Sequence, residues 1–395
     1  MYTVHIQTKR FGSEYKQVMF KSGTLYDYEN KASILYVNLF PTELNGLDIK
    51  PTVTKIKVLD HKGNEVFWGR LINNPVRTIQ ADGTFYIYLT AESAMNFLID
   101  RVALKWEFHP ETYTEPEYST GIRDKPVILE NQTVKTALST LINVHYSGAK
   151  EEEQIHYSDD NVTVEDSVYF TTQRSDTILS VIQNKIIKNK GGYMTVKRAD
   201  DGLLYLYYSA TNDKVGPDIV LGDNIMTFNQ SLINTPYYNR VTATGANGLT
   251  MTGRLGGGPV YVNDATGENT FGIRETFVEF PDVTDPNNLY SKASQYLIDI
   301  NKAAQSSFDL QVLDKSFLVD DLGYEISQVC KINCSLINGI QTTGRIIEMS
   351  RALESPYKVR LTLTKRSPSA IANNVDTEIE LQNLKSQIQS LEDRI

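Results

Sequence analysis

The chain has 395 residues, 41% of them hydrophobic, and a formal net charge of −9. At about 100–200 residues per domain, that length holds two to four domains with cores of their own. The net acidity excludes nucleic-acid recognition by bulk charge, since a duplex-binding surface would have to work against the overall field. No apolar run approaches the ~20 residues of a membrane span, and the start MYTVHIQTKRFGSEYK lacks the apolar stretch of a secretory signal. The expectation is a soluble chain made in a cytoplasm.

Residues 1–105 read as strands. In GTFYIYLTAE, Phe85, Ile87 and Leu89 alternate with Tyr86, Tyr88 and Thr90, the period of a strand covered on one face and partly on the other. The turn HKGNE joins KIKVLD to VFWGRLI through Gly63-Asn64, a hairpin signal. AESAMNFLID closes the block as a short helical stretch, and the whole predicts a small barrel or sandwich.

Residues 106–231 read as a linker followed by an α+β unit. From His109 to Lys125 the text is polar, holds Pro110 and Pro116, and has no period, so a loop is expected. Val134, Ala137, Leu138, Leu141 and Ile142 then fall at helical spacing behind a Thr133 cap, and the pattern stops at Gly148. A second helix is expected with Ser175 as cap, with Ile178, Leu179, Ile182 and Ile186 as its buried stripe and Gly191-Gly192 at its end. YMTVKR and LLYLYYSA make a hairpin with Leu204, Leu206 and Tyr208 on one face. His145 is read as packing at the end of its helix, and Glu151 to Glu153 as a solvated loop.

Residues 232–366 read as a second barrel-like unit. The stretch 245–267 holds seven glycines, too many for a packed sheet interior, and is expected to be a long loop or ribbon. A helix is expected over 286–304, with Leu289, Ala293, Leu297 and Ile300 at helical spacing. The strands SSFDLQVL, YEISQVCKINCSL and TGRIIEMSRALESPYKVRLTLTKR follow. The only cysteines, Cys330 and Cys334, share one face of such a strand. They would lie about 13 Å apart, beyond the ~7 Å that a disulfide allows, and they read as small core residues.

Residues 367–395 change character. Leu381, Leu384, Ile388, Leu391 and Ile395 are spaced three, four, three and four, the a/d seam of a coiled coil, and this set is the candidate oligomer interface. The other reading is an amphipathic helix docked on its own domain. An isolated helix this short is marginal in water and the apolar stripe is narrow, which favours the coiled coil. Ile at a with Leu at d favours two strands.

The catalytic inventory is thin. There is no G-x-S-x-G elbow, no H-E-x-x-H and no P-loop, and nothing in the sequence calls for a cofactor or a metal. GRLGGGP lacks the Lys-Ser/Thr and the following helix of a phosphate loop. Acids in VDDLGYE, including Asp320, Asp321 and Glu325, or in YSDDN could pair for glycoside hydrolysis, but turn formation is the ordinary role of such residues.

The order of these pieces resembles the tail-tip hub or tail-associated lysin family of long-tailed phages and prophages. The carrying residues are EVFWGRL at 65–71 with the following strand into a short helix, then DDLGYEISQVCKI and TGRIIEMSRAL, in an order spanning about 50 to 366. The resemblance implies a β-rich α+β chain: two barrel-like β domains flank an α+β middle domain, and a coiled-coil helix ends the chain. It implies a homotrimeric structural protein at the virion tail tip that caps a hexameric tail tube or meets a distal tail protein. Receptor-binding proteins or the tape-measure protein are further implied partners, with DNA passing through without specific binding. Relatives often carry an enzyme beyond the hub; this chain stops inside its heptads. Against the structural reading stand a cell-wall hydrolase acting through a carboxylate pair and a carbohydrate-binding adhesin suggested by 23 tyrosines. Tyrosines that alternate along strands serve sheet packing more often.

Overall fold

The computed structural model describes residues 2–7, 14–44, 49–79, 83, 85–108, 122–126, 128–164, 167–172, 175–199, 201–209, 214–232, 238–253, 257–280, 283–303, 306–317, 323–334 and 340–364. Within them the chain is β-rich α+β. The first block is eight strands: β1 (Thr3–Gln7), β2 (Lys16–Val18), β3 (Phe20–Tyr28), β4 (Ile34–Leu39), β5 (Lys55–Leu59), β6 (Glu65–Leu71), β7 (Val76–Ile79) and β8 (Phe85–Ser93). They pair antiparallel in the order β3-β4-β8-β6-β5-β1-β2, with β7 on β8. Alternation fixes which side is inward: Val4 and Ile6, Leu35, Val37 and Leu39, and Ile56 and Val58 share one buried core. Each such side chain contributes roughly 1.5–3 kcal/mol by leaving water. The β5–β6 hairpin turns as its sequence says. Gly63 takes φ +85°, and the Asp60 carboxylate accepts from the backbone N–H of Lys62 and Asn64, each at 2.8 Å. A 3₁₀ turn, Ala94–Ile99, follows β8.

The next stretch pairs β9 (Leu104–Phe108) with β10 (Ile122–Pro126), and β11 (Ile128–Thr133) with β13 (Ser167–Thr171). Strand β10 therefore occupies the last residues of the expected loop at 109–125; residues 109–121 lie outside the described set. Helix α1 (Val134–Tyr146) starts at Thr133, whose side chain accepts from the Thr136 N–H, and it buries Val134, Ala137, Leu138, Leu141 and Ile142. β12 (Ile155–His156) runs parallel to β15 (Leu204–Ser209). Helix α2 (Ile178–Val181) continues through a π-type turn, Ile182–Ile187, into α3 (Lys188–Lys190). Its cap is Thr177, two residues later than Ser175, because Thr177 is still extended and is held by a bond on either side of it: Ala103 N–H donates to Asp176 O at 2.7 Å and Ile178 N–H to Arg101 O at 3.1 Å. The hairpin β14 (Tyr193–Arg198) and β15 (Leu204–Ser209) buries Leu204, Leu206 and Tyr208.

β16 (Ile219–Val220) and β17 (Ile225–Leu232) precede a smaller unit centred on Gln230–Ser307. There β18 (Arg240–Gly245) pairs with β19 (Val262–Asn263) and lies parallel to β20 (Glu275–Phe280). Helix α4 (Ala265–Phe271) intervenes, and α5 (Pro286–Ala303) covers one face of the sheet with Leu289, Ala293 and Leu297 against Val241, Ala243 and Val262. The glycine-rich stretch is therefore not one long loop where it is described. Its residues enter 3₁₀ turns at Ala246–Gly248 and Met251–Gly253, then β19 and α4. Gly248, in the left-handed region at φ +76°, closes the first of these turns.

The larger unit resumes with β21 (Ser306–Leu313), β22 (Val329–Cys334), β23 (Ile340–Ala352) and β24 (Lys358–Thr364). Phe308, Leu310, Val312, Cys330, Ile332, Cys334, Val359, Leu361 and Leu363 form a second β core, with Ile219. Both cysteines are free and buried, and burial pushes the Cys330 thiol up to about 12. Strand β23 joins the two cores. Residues 340–345 pair with β22, while 348–352 pair with β3, and Leu353 drops into the first core. Two separately filled β modules thus share one sheet of the larger unit. The coiled-coil seam Leu381, Leu384, Ile388, Leu391 and Ile395 lies outside the described residues, as do Asp320 and Asp321.

Candidate functional site

Two places in the larger unit concentrate chemistry-bearing side chains. The first is built on EVFWGRL. Gly69 is where β6 meets β8 so closely that a Cβ would stand 1.9 Å from the Glu92 carbonyl oxygen, so no larger residue fits. The next residue, Arg70, is 5% exposed. Its Nε donates to Glu92 Oε1 at 2.8 Å, while Nη1 and Nη2 grip Asp100 at 2.5 and 2.9 Å. Asn96 donates to the second Glu92 oxygen, and the guanidinium lies 4.7 Å from the Phe97 ring centre. Burial opposes the Arg70 charge, but the bonds to Asp100 and Glu92 outweigh it and its pKa rises. Beside it, buried Lys55 reaches Glu153 at 2.5 Å. Glu153 therefore leaves the solvated loop expected for Glu151–Glu153, because burial of an ammonium demands an anion close by. The Glu153 carbonyl oxygen also pairs with His145 Nε2 at 2.9 Å, so His145 packs inward and burial lowers its pKa.

The second is a cleft of about 1010 Å³ lined by residues of both β modules and of the β14–β15 hairpin, among them Tyr2, Asp27, Trp68, Tyr207, Tyr324 and Arg351. Its charges face one another. Arg351 lies 3.5 Å from Asp27 and donates to the Tyr324 carbonyl oxygen at 2.6 Å. Lys214 meets Glu325 at 2.9 Å and Arg198 meets Glu65 at 3.3 Å. Burial raises Asp27 against the pull of Arg351 and pushes Tyr2 up to about 12. Behind the cleft Glu29 is pushed up to about 7 by burial, with Arg345 opposing. Asn30, at φ +59°, staples β3 to the middle block: its Oδ1 accepts from Met194 N–H at 2.7 Å and its Nδ2 donates to Gly192 O at 3.0 Å.

Of the candidate acids, Asp320 and Asp321 lie outside the described residues, and the others are placed as follows. Burial would raise Glu325, but Lys214 outweighs it and holds the carboxyl below the usual range, the wrong state for a proton donor. Asp159 and Asp160 are exposed in a 3₁₀ turn. Among the described residues no group of three or more His, Cys, Asp and Glu is placed to hold a metal, and no helix is long and apolar enough to cross a membrane. Arg70 was passed over in the sequence. The signal that could have found it is a lone cation inside the apolar run VFWGRLI.

No family model matches the chain, and no curated protein matches it in sequence. Solved structures do. The 43 kDa tail protein of prophage MuSo2 from Shewanella oneidensis superposes with a TM-score of 0.62 at 13% identity, over 93% of this chain and 98% of that one. A tail protein from Neisseria meningitidis gives 0.61 at 12%, over 92% and 96%. Prophage tail protein gp18 from Listeria monocytogenes gives 0.54 at 12%, over 96% and 99%. At these identities the likeness is one of fold, and over more than nine-tenths of its length the chain has the β-rich α+β fold of prophage tail proteins.

Proposed function

We propose that the chain is a structural protein of a phage or prophage tail, a homotrimeric hub that caps the tail tube at its tip and surrounds the DNA channel. The observation that carries the reading is the end-to-end match to three tail proteins, two of them from prophages, with 92–96% of this chain covered. Two β modules with separate cores on one sheet suit a wall in which each subunit gives two units, so that three subunits offer six to a hexameric tube or distal tail protein. The mutual pairing of charges in the cleft fits a scaffold better than a reaction centre, and a net charge of −9 lets a DNA backbone pass without sticking. Receptor-binding proteins and the tape-measure protein are the further partners of this reading, and the seam Leu381, Leu384, Ile388, Leu391 and Ile395 would gather the copies about one axis. Light scattering of the full chain at micromolar concentration tests it: a mass of three chains is expected, and a strict monomer overturns it.

A further inference from the structure

Among the described residues, β20 and β7 are two of the strands that end a sheet. In the smaller unit β20 ends the sheet β19-β18-β20, and in the first β module β7 pairs with β8 alone. An open edge is a template for another chain. On β20 the backbone direction follows from alternation. The Arg274 carbonyl accepts from Arg240 and Asn239, so the N–H and C=O groups of Glu275, Phe277 and Glu279 point away from β18. The side chains of the same three residues are exposed, Phe277 at 54%, and Ile273 beside them at 61%. All four residues of β7 are exposed, Ile79 at 73% and Val76 at 51%. One edge therefore carries carboxylates around an aromatic ring, and the other a cation beside an aliphatic side chain. Among the described residues neither Arg77 nor Glu279 has an ion-pair partner.

We propose that β7 of one copy adds to the open edge of β20 of a second copy. The proposal rests on the trimeric reading above and names the contact between its subunits. Antiparallel pairing that sets Ile79 opposite Phe277 also sets Arg77 opposite Glu279, so one register satisfies the apolar and the charged pair together. β20 cannot do the same with itself: antiparallel self-pairing about Phe277 would oppose Glu275 to Glu279 twice, carboxylate against carboxylate. The contact is therefore heterologous, head to tail, and each copy keeps one free edge of each kind until a ring closes.

Crosslinking between differently marked copies tests this. Full-length Ile79→Cys and Phe277→Cys chains are mixed and mildly oxidised; directly opposed strand positions lie within disulfide reach, and the two native thiols are buried. A disulfide-linked dimer is expected in the mixture and not in either variant alone. Arg77→Glu on the first chain should cut the yield at least tenfold, and Glu279→Arg on the second should restore it. A mixture that stays unlinked while light scattering gives three chains overturns the edge pairing and leaves the trimer standing. No link together with a monomer mass overturns both. Linking by Phe277→Cys alone shows β20 self-pairing and also refutes the proposal.

Discussion

The larger unit buries charge in two ways. Around Arg70 every strong donor and acceptor is matched: two carboxylates, an amide and a ring face surround one guanidinium. Around Glu29 the match fails. Arg345 Nε stands 4.0 Å from Glu29 Oε1, and both carboxylate oxygens, with Nε and Nη1 of Arg345, are buried without a well-formed hydrogen bond, although Ser327 lies near enough to pull the acid down a little. The difference teaches that burial alone does not set the role of a charged pair. A satisfied cluster fixes geometry, here holding β6 and β8 to the turn that leads into the middle block. An unsatisfied one keeps its desolvation cost and becomes sensitive to protons.

Emptying the satisfied cluster should cost the most stability. Arg70→Met keeps volume but strands Glu92, whose side chain is 10% exposed, whereas Asp100, at 44% exposed, can rehydrate. The expected loss is about 3–5 kcal/mol, seen as a fall in the urea midpoint. A loss below about 1 kcal/mol would mean that the cluster is wet in solution.

The unsatisfied pair should answer to pH instead. Glu29 is 3% exposed, and its carboxyl moves from an ordinary value of 4.5 to about 7. A raised acid binds its proton more tightly in the folded state. Its stabilising contribution is therefore complete below pH 4.5 and is lost as pH rises through about 7. Glu29→Gln abolishes that slope. Between pH 4.5 and 8 the variant should gain roughly 3 kcal/mol relative to the parent chain, measured by unfolding at a series of pH values. Parallel profiles for the two proteins would show that Glu29 is properly paired after all.

What the sequence disclosed follows the same division. Period-two alternation put Cys330 and Cys334 on one face, and both are buried, because strand burial is a local property of the pleat. Within EVFWGRL, Gly69 permits the close approach of β6 to β8, and Arg70 beside it reaches Glu92 and Asp100. The partners of buried Lys55 and Arg70 were not legible. Glu153 lies 98 positions from Lys55 and Asp100 lies 30 from Arg70, and no local spacing reports such a meeting. The double use of β23 escaped for the same reason, since a 13-residue strand does not announce that its halves pair with different neighbours. In the smaller unit the glycine count argued for irregularity, whereas glycines at positive φ punctuate several short elements.

The two helix starts give the smallest and cleanest test. Thr133 caps α1 as its sequence says, because β11 runs extended up to that residue. At the second helix Ser175 was the expected cap, and tertiary structure moved the start to Thr177. The bridge between Val102 and Thr177 keeps the chain extended past Ser175, so the Thr177 hydroxyl accepts from the Ser180 N–H at 3.2 Å. Thr177→Ala should cost about 1 kcal/mol, and Ser175→Ala no more than ~0.5 kcal/mol, read from melting temperatures on one preparation. Equal costs would place the helix start at Ser175 in solution, and the bonds that bring Ala103 and Arg101 against Asp176 and Ile178 would then have to be absent from the native ensemble.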